Sequence, residues 1–232
     1  MSHPANRLLA SLPRTAFAAI KPDLKLVELS HGDILAETGG QIRRVYFPHS
    51  GIISLVVELS AGEMIETATV GRDGAIGAAS ALDGRISFNK GIVQLGGVAS
   101  VIGVERLRAL ADENKRFRSI LIRHEQVLFA QAQQSAACNA SHSAEARMCR
   151  WLLRTRDLAG ERLQLTQQFL GQMMGVQRST VSLAANTLQR AGLIKYRRGN
   201  IEILDVDGLR EAACECYAIV AAHYQNLWKL LS

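Results

Sequence analysis

The spacing of hydrophobic residues changes character several times along the chain. From about residue 5 to 22, Leu8, Leu9, Leu12, Phe17 and Ile20 recur at helical intervals, and Pro13 interrupts them because its ring cannot continue a helix. From Leu24 to Ile102 the texture is different. Glycine returns every few residues, and short β-branched runs lie between, such as Arg44 to Phe47, Ile52 to Val57, Thr67 to Val70 and Gly91 to Leu95. Many short strands with regular turn signals predict a sandwich, jelly roll or barrel. Pro48-His49-Ser50-Gly51 predicts a turn between two of these strands.

After Val104 glycine disappears until Gly160, and residues up to Asp157 read as helix. The stretch from Phe117 to Ser141 is long. Along it, Leu121, Val127 or Leu128, and then Ala132, Ser135, Ala136 and Asn139 form a stripe whose side chains shrink toward the C-terminal end. Small residues let two helix axes approach closely, so this stripe is a candidate seam between two copies of the chain. A helix packed on its own domain is the alternative reading. A second helix follows, with Ser143 as its N-cap and Met148, Cys149, Trp151 and Leu152 available for burial.

Residues 163 to 204 have the most specific pattern. Thr166 caps a helix carrying Phe169, Leu170, Met173 and Met174, and Gly175 provides a tight turn. A second helix from Gln177 to Arg190 turns Val181, Ala184, Ala185 and Leu188 inward. Two short helices about a glycine turn make a helix-turn-helix, whose second helix enters the DNA major groove. Two strands, Lys195 to Arg197 and Ile201 to Leu204, joined through Arg198-Gly199-Asn200, form a wing. Gln177, Arg178, Ser179 and Ser182 stand where side chains reach base edges. Thr166, Gln167, Thr180, Arg197 and Arg198 are placed for phosphates, which position the protein without reading sequence.

Composition changes this picture in three ways. Hydrophobic residues make up 48% of the 232 positions and aromatic residues 5%, so the core must be aliphatic. The net charge is +6, and its distribution matters more than its size. From Arg162 through Ile201 there is no Asp or Glu, while six basic residues occur there, as expected of a surface that meets phosphates. A domain that binds protein instead of DNA has no need of such a depletion. Finally, there is no apolar run long enough to cross a membrane, no signal-peptide pattern and no CxxC among the four cysteines. A cytoplasmic protein with reduced thiols and no membrane partner is expected. The nucleophile elbow, the P-loop, HExxH and paired-carboxylate patterns are missing, which argues against an enzyme.

The order of parts resembles the Crp/Fnr family of bacterial transcription regulators over nearly the whole chain. The resemblance is strongest from Leu165-Thr166 to Gly199, including Gly175-Val176, Arg178-Ser179-Thr180-Val181 and Ala191-Gly192-Leu193-Ile194. Val45 to Pro48, Arg147 to Leu153 and Cys214 to Tyr217 look like a proteobacterial branch. The resemblance implies an α+β protein. A β-roll (jelly-roll-like) sensor domain would span residues 1–115, a dimerisation helix 116–139, and a winged helix-turn-helix with a C-terminal helix 140–232. It further implies a homodimer on a palindromic site in double-stranded DNA, RNA polymerase as a further partner, and a small-molecule or redox signal sensed by the roll.

The departures bear on the signal. Cyclic AMP binders of the family carry a Gly-Glu-Leu stretch and a following arginine pair. The matching stretch here is Gly77-Ala78-Ala79, so the ribose-binding carboxylate is replaced by Ala78. Arg85 and Lys90 lie near the place of the arginine pair and complete, with Gly77 and Ala78, a candidate effector pocket of unknown ligand. No cysteine precedes Cys138, so the N-terminal iron–sulfur cluster of oxygen-sensing relatives is not expected. Cys138, His142, Cys214 and Cys216 are the candidate set for metal or redox chemistry, provided the C-terminal helix folds back on the long helix. Otherwise they are small buried residues on helix faces.

Overall fold

The computed structural model describes residues 5–82 and 86–229, so Arg85 lies outside the described residues. The chain divides into two compact units. The first comprises residues 1–55, 68–130 and 223–232, and the second residues 56–67 and 131–222.

The first unit opens with two short helices, α1 (Arg7–Ala10) and α2 (Arg14–Ile20), separated at Pro13 as the sequence requires. Asn6 is fully buried. Its side-chain oxygen caps α1 at Leu9 N, and its amide donates to the carbonyls of Pro48 and Gly74, both at 2.8 Å. Seven strands follow: β1 (Lys25–Leu29), β2 (Ile34–Ala36), β3 (Arg44–Pro48), β4 (Ile52–Glu58), β5 (Met64–Val70), β6 (Lys90–Leu95) and β7 (Gly97–Gly103). They form a three-stranded sheet in the order β1-β7-β3 and a four-stranded sheet in the order β2-β6-β4-β5. Tyr46 pairs with Val101 and Val27 with Ala99, both in antiparallel register.

Period-2 alternation sends the two faces of β3 to different cores. Val45 and Phe47 pack with the helices, among Leu8, Leu9 and Ile20. Tyr46 points the other way, into a cluster of Leu29, Ile53, Val70, Val93 and Ala99 drawn from both sheets. The helical layer is completed by α3 (Val104–Glu113) and the first half of α4 (Lys115–Ser141). Phe117, Ile120 and Leu121 of α4 are essentially fully buried there, each worth about 1.5–3 kcal/mol of transfer free energy.

The second unit contains the end of α4, α5 (Ala144–Ala159), β8 (Arg162–Gln164), α6 (Gln167–Met174), α7 (Arg178–Arg190), β9 (Ile194–Arg197), β10 (Asn200–Ile203), α8 (Val206–Ala212) and the first half of α9 (Cys216–Lys229). Ser143 caps α5 by accepting from Ala146 N, and Gly160 ends it. The strand β8 is not visible in the hydrophobic pattern. It pairs with β10, giving a small sheet in the order β8-β10-β9. The tip of the β4–β5 hairpin also belongs to this unit, where the Trp151 indole N–H donates to Glu66 Oε1 at 3.0 Å.

α4 carries two stripes. Phe117, Leu121, His124, Leu128, Gln131, Ser135 and Cys138 are buried, at alternating steps of four and three residues. Ile122, Gln126, Phe129, Gln133, Ala136 and Ala140 are exposed, at the same alternating steps. The seam expected from sequence falls mainly on the inward side, with Ala136 facing outward. Leu121, Leu128 and Ser135 are buried within the chain, and Ala132 is half-buried. Helical periodicity locates such a stripe but cannot tell which of two neighbouring stripes faces the protein's own core.

The turn between β3 and β4 demands glycine. Gly51 has φ +81°, and a Cβ there would stand 2.6 Å from the carbonyl oxygen of Leu95. Gly51→Ala combines a left-handed backbone penalty with a clash against main chain, and should lower stability by about 2 kcal/mol or more. Denaturant titration checks this, and an unchanged midpoint would refute it.

Candidate DNA-reading site

The site is built from local signals. Thr166 Oγ1 accepts from Phe169 N at 3.2 Å and starts α6. Gly175, at φ +62°, ends it in the left-handed conformation. A Cβ on Gly175 would touch the side chain of Ile65 at 3.4 Å, so the hairpin tip packs directly on this turn. Arg147 of α5 is buried, and its guanidinium donates to the carbonyl of Met174, the last residue of α6. A cation at a helix C-terminus suits the helix dipole, although burial pulls the Arg147 pKa down. The turn is thus held from both sides before α7 begins.

On α7, Val181, Ala184, Ala185 and Leu188 are buried, the same four residues that the period selects. Gln177 is the N-cap residue. Gln177, Arg178 and Ser179 are exposed, as base reading would require. Ser182 is different. Its hydroxyl donates to Gln167 Oε1 at 2.8 Å and lies 3.1 Å from the Arg178 carbonyl, so Ser182 and Gln167 join α7 to α6. Thr180 is half-buried and Thr166 exposed. Sequence reasoning missed two exposed residues further along the outer face, Leu183 at 64% exposure and Asn186. With Ser179 they follow helical spacing (i, i+4, i+7), so the signal was the complement of the buried set.

The wing is a two-residue hairpin. Asn200 pairs with Arg197, and the tip residues Arg198 and Gly199 have φ of +49° and +79°. Positive φ at both tip positions matches the right-handed strand twist. Tyr196 pins the wing: its N–H donates to Gln189 Oε1 of α7, and its hydroxyl donates to the Leu165 carbonyl, each at 2.8 Å. Burial raises the Tyr196 pKa, and the nearby Arg178 charge opposes that shift. Between wing and α7 lies a cleft of about 610 Å³ lined by Arg178, Asn186, Tyr196 and Arg198 among others. A second cleft of about 380 Å³ separates the hairpin tip, including Glu63, from Gln177 and Arg178.

All six basic residues of the acid-free stretch, Arg162, Arg178, Arg190, Lys195, Arg197 and Arg198, are exposed. Arg162 pairs with Glu202 at 3.7 Å, just beyond that stretch.

The structure places the other predicted residues as follows. Ala78 is fully buried in the helical core cluster, next to Gly77 at φ +83°. Lys90 pairs with Glu37 at 3.6 Å. His124 is buried, and its Nε2 accepts from Ala75 N at 3.1 Å. Cys138, His142, Cys214 and Cys216 are brought together, with their ligand-type atoms all within 4.8 Å of one another. Burial raises the thiol pKa of Cys138 and pushes that of Cys214 up to about 12. Cys149 stands apart from this group, and burial pushes it up to about 11.

Fold and site together define a winged helix-turn-helix domain on a chain that also carries a β-roll. Residues 146–212 match the Crp-like helix-turn-helix domain model, and the chain has a fold similar to that of solved Crp/Fnr regulators. FixK2 from Bradyrhizobium japonicum aligns with a TM-score of 0.71 at 15% identity, over 82% of this chain and 98% of that one. The c-di-GMP-responsive global regulator CLP of Xanthomonas campestris aligns at 0.66 and 15% identity, over 83% and 100%. A Crp/Fnr-family transcriptional regulator of Thermus thermophilus aligns at 0.63 and 22% identity, over 82% and 98%. No curated protein matches the sequence.

Arg178→Ala should remove discrimination at one base pair, costing about 1–3 kcal/mol on the preferred site and little on its point variant there. Competition binding on the two duplexes measures this. Equal weakening on every sequence would make Arg178 a phosphate contact.

Proposed function

We propose that this chain is a sequence-specific DNA-binding transcription regulator that works as a homodimer. The observation that carries the reading is the set of exposed basic residues on α7 and the wing, drawn from a stretch of sequence with no Asp or Glu between Arg162 and Ile201. Gln177, Arg178 and Ser179 read base edges, with Leu183 supplying apolar contact to a thymine methyl and Asn186 a bidentate amide for adenine. Thr166, Thr180, Arg197 and Arg198 meet phosphates, and Gln167 and Ser182 act chiefly by joining the two helices.

The exposed stripe of α4 supports the dimer. Ile122 and Phe129 are 42% and 65% exposed, and Ala136 and Ala140 continue the stripe with residues small enough for close helix approach. A two-fold pair of this kind presents two α7 helices to half-sites about one DNA turn apart, and the preferred site is then a palindrome. RNA polymerase is the partner that turns such binding into regulation, in the cytoplasm.

The roll is the sensing part, responding to a small-molecule or redox signal. Its signal is not read through cyclic AMP contacts, because Ala78 is a core residue without a carboxylate and Lys90 is already paired. These points support another effector chemistry, and they fix none.

Selection from random duplexes, followed by titration at several salt concentrations, tests the reading. The expected result is a palindrome bound with a steep salt dependence, each neutralised phosphate contributing about −0.9 to the log–log slope. Weak binding indifferent to salt would instead favour a protein-binding C-terminal domain. Phe129→Glu should shift the sedimenting species from dimer toward monomer and weaken binding to the palindrome. An unchanged dimer would remove α4's exposed stripe as the seam.

A further inference from the structure

We propose that Cys138, His142, Cys214 and Cys216 form a closed, four-coordinate zinc site. The ligands come from separate places. Cys138 and His142 lie one turn apart at the end of α4, where His142 N–H still bonds the Cys138 carbonyl at 3.1 Å. Cys214 and Cys216 flank the start of α9, just after α8. Spaced this way in sequence they match no familiar zinc pattern, yet they converge.

The geometry selects the kind of centre. Zn–S bonds of about 2.3 Å and Zn–N bonds of about 2.0–2.1 Å put the ligand atoms of a tetrahedral site with three sulfurs and one nitrogen about 3.5–3.8 Å apart. Cys138 Sγ and Cys214 Sγ are 3.5 Å apart, and Cys216 Sγ and His142 Nδ1 are 3.6 Å apart. Every pair lies within 4.8 Å, which suits one ion better than a multinuclear iron–sulfur cluster with more widely spread ligands. Three thiolates and an imidazole form a soft, tetrahedral set, which favours zinc over the hard oxygen-seeking cations.

The surroundings complete the site. His142 Nε2 lies 3.2 Å from Glu215 Oε1. A proton on Nε2 directed to that carboxylate leaves the Nδ1 lone pair facing Cys216, the carboxylate–histidine–metal arrangement that orients an imidazole ligand. The Gln134 amide donates to Cys216 Sγ at 3.0 Å, as an amide does toward a thiolate. The guanidinium groups of Arg147 and Arg150 stand close enough to influence Cys138 electrostatically. They offset the single negative charge that three thiolates leave on a zinc ion. On binding, the three thiols release their protons to water, and no electron transfer is involved. With all four positions filled by protein, the ion has no open site for a substrate, so its role is structural. It ties the end of α4 to the α8–α9 junction.

The test is metal analysis of the full chain, purified under reducing conditions without chelator. The expected content is about one zinc per chain. Cys216→Ser and His142→Ala should each reduce it to below about a tenth, while Cys149→Ser, outside the cluster, should retain it. Cobalt(II) added to the metal-free wild-type chain gives a readout that no variant's misfolding can disturb. It should produce thiolate charge-transfer absorption and the strong visible bands of a tetrahedral centre. Three outcomes would overturn the proposal: neither zinc nor a cobalt–thiolate spectrum with four free thiols; zinc retained in all three variants; or a wild-type chain two hydrogens lighter with two titratable thiols, which means a Cys138–Cys214 disulfide.

Discussion

The rest of the architecture depends on how the inward positions of α4 are spaced. Phe117, Leu121, His124, Leu128, Gln131, Ser135 and Cys138 keep to one side by alternating steps of four and three residues. The chemistry along that side is graded. At the start it is an aromatic ring and aliphatic side chains in the helical core. Midway, His124 holds the backbone of the loop before Ile76 through Ala75 N. At the end it offers a thiol and, one turn later, an imidazole. One helix face therefore supplies hydrophobic burial, a polar anchor and a cluster of soft donors in sequence order. The neighbouring face keeps the same rhythm and is left to solvent.

The reading head is organised on a different principle. Its precision comes from short-range devices: a threonine cap, a glycine in the left-handed region and a buried arginine on the last carbonyl of α6. A buried guanidinium loses hydration, and the carbonyl it meets at a helix C-terminus offsets part of that loss. Tyr196 does the corresponding work for the wing with one hydrogen bond to α7 and one to the segment before α6. The stretch itself carries no acid: Glu161 and Glu202 stand at its ends, and Glu63 of the hairpin tip faces Gln177 and Arg178 across a cleft.

How much of this was legible in the sequence follows from how local each cause is. The helix-turn-helix, its caps and its buried face were readable because capping and 3.6-residue periodicity act within a few residues. The wing tip was readable from Arg198-Gly199, although both strands begin one residue earlier than expected. β8 was not, because a three-residue strand with one buried side chain, Leu163, has no period to detect. On α4 the pattern gave a stripe that mixes two faces, with Ala136 outward and Leu121, Leu128 and Ser135 inward, since two stripes of equal spacing compete and only packing decides between them. Leu183 was overlooked because an apolar residue in a helix is normally assigned inward. The meeting of Cys138 and His142 with Cys214 and Cys216 depends on where α8 and α9 lie, which no local pattern encodes.

The equal spacing of α4's two faces also constrains how this gene can change. A one-residue insertion or deletion near Phe129 would turn everything beyond it by about 100°. Ile122 and Gln126 would then fall out of line with Ala136 and Ala140, and neither stripe would stay continuous along the helix. Point substitutions on the outer face leave this phase untouched, whereas small length changes do not. Only a change of seven residues, close to two full turns, keeps both stripes in line.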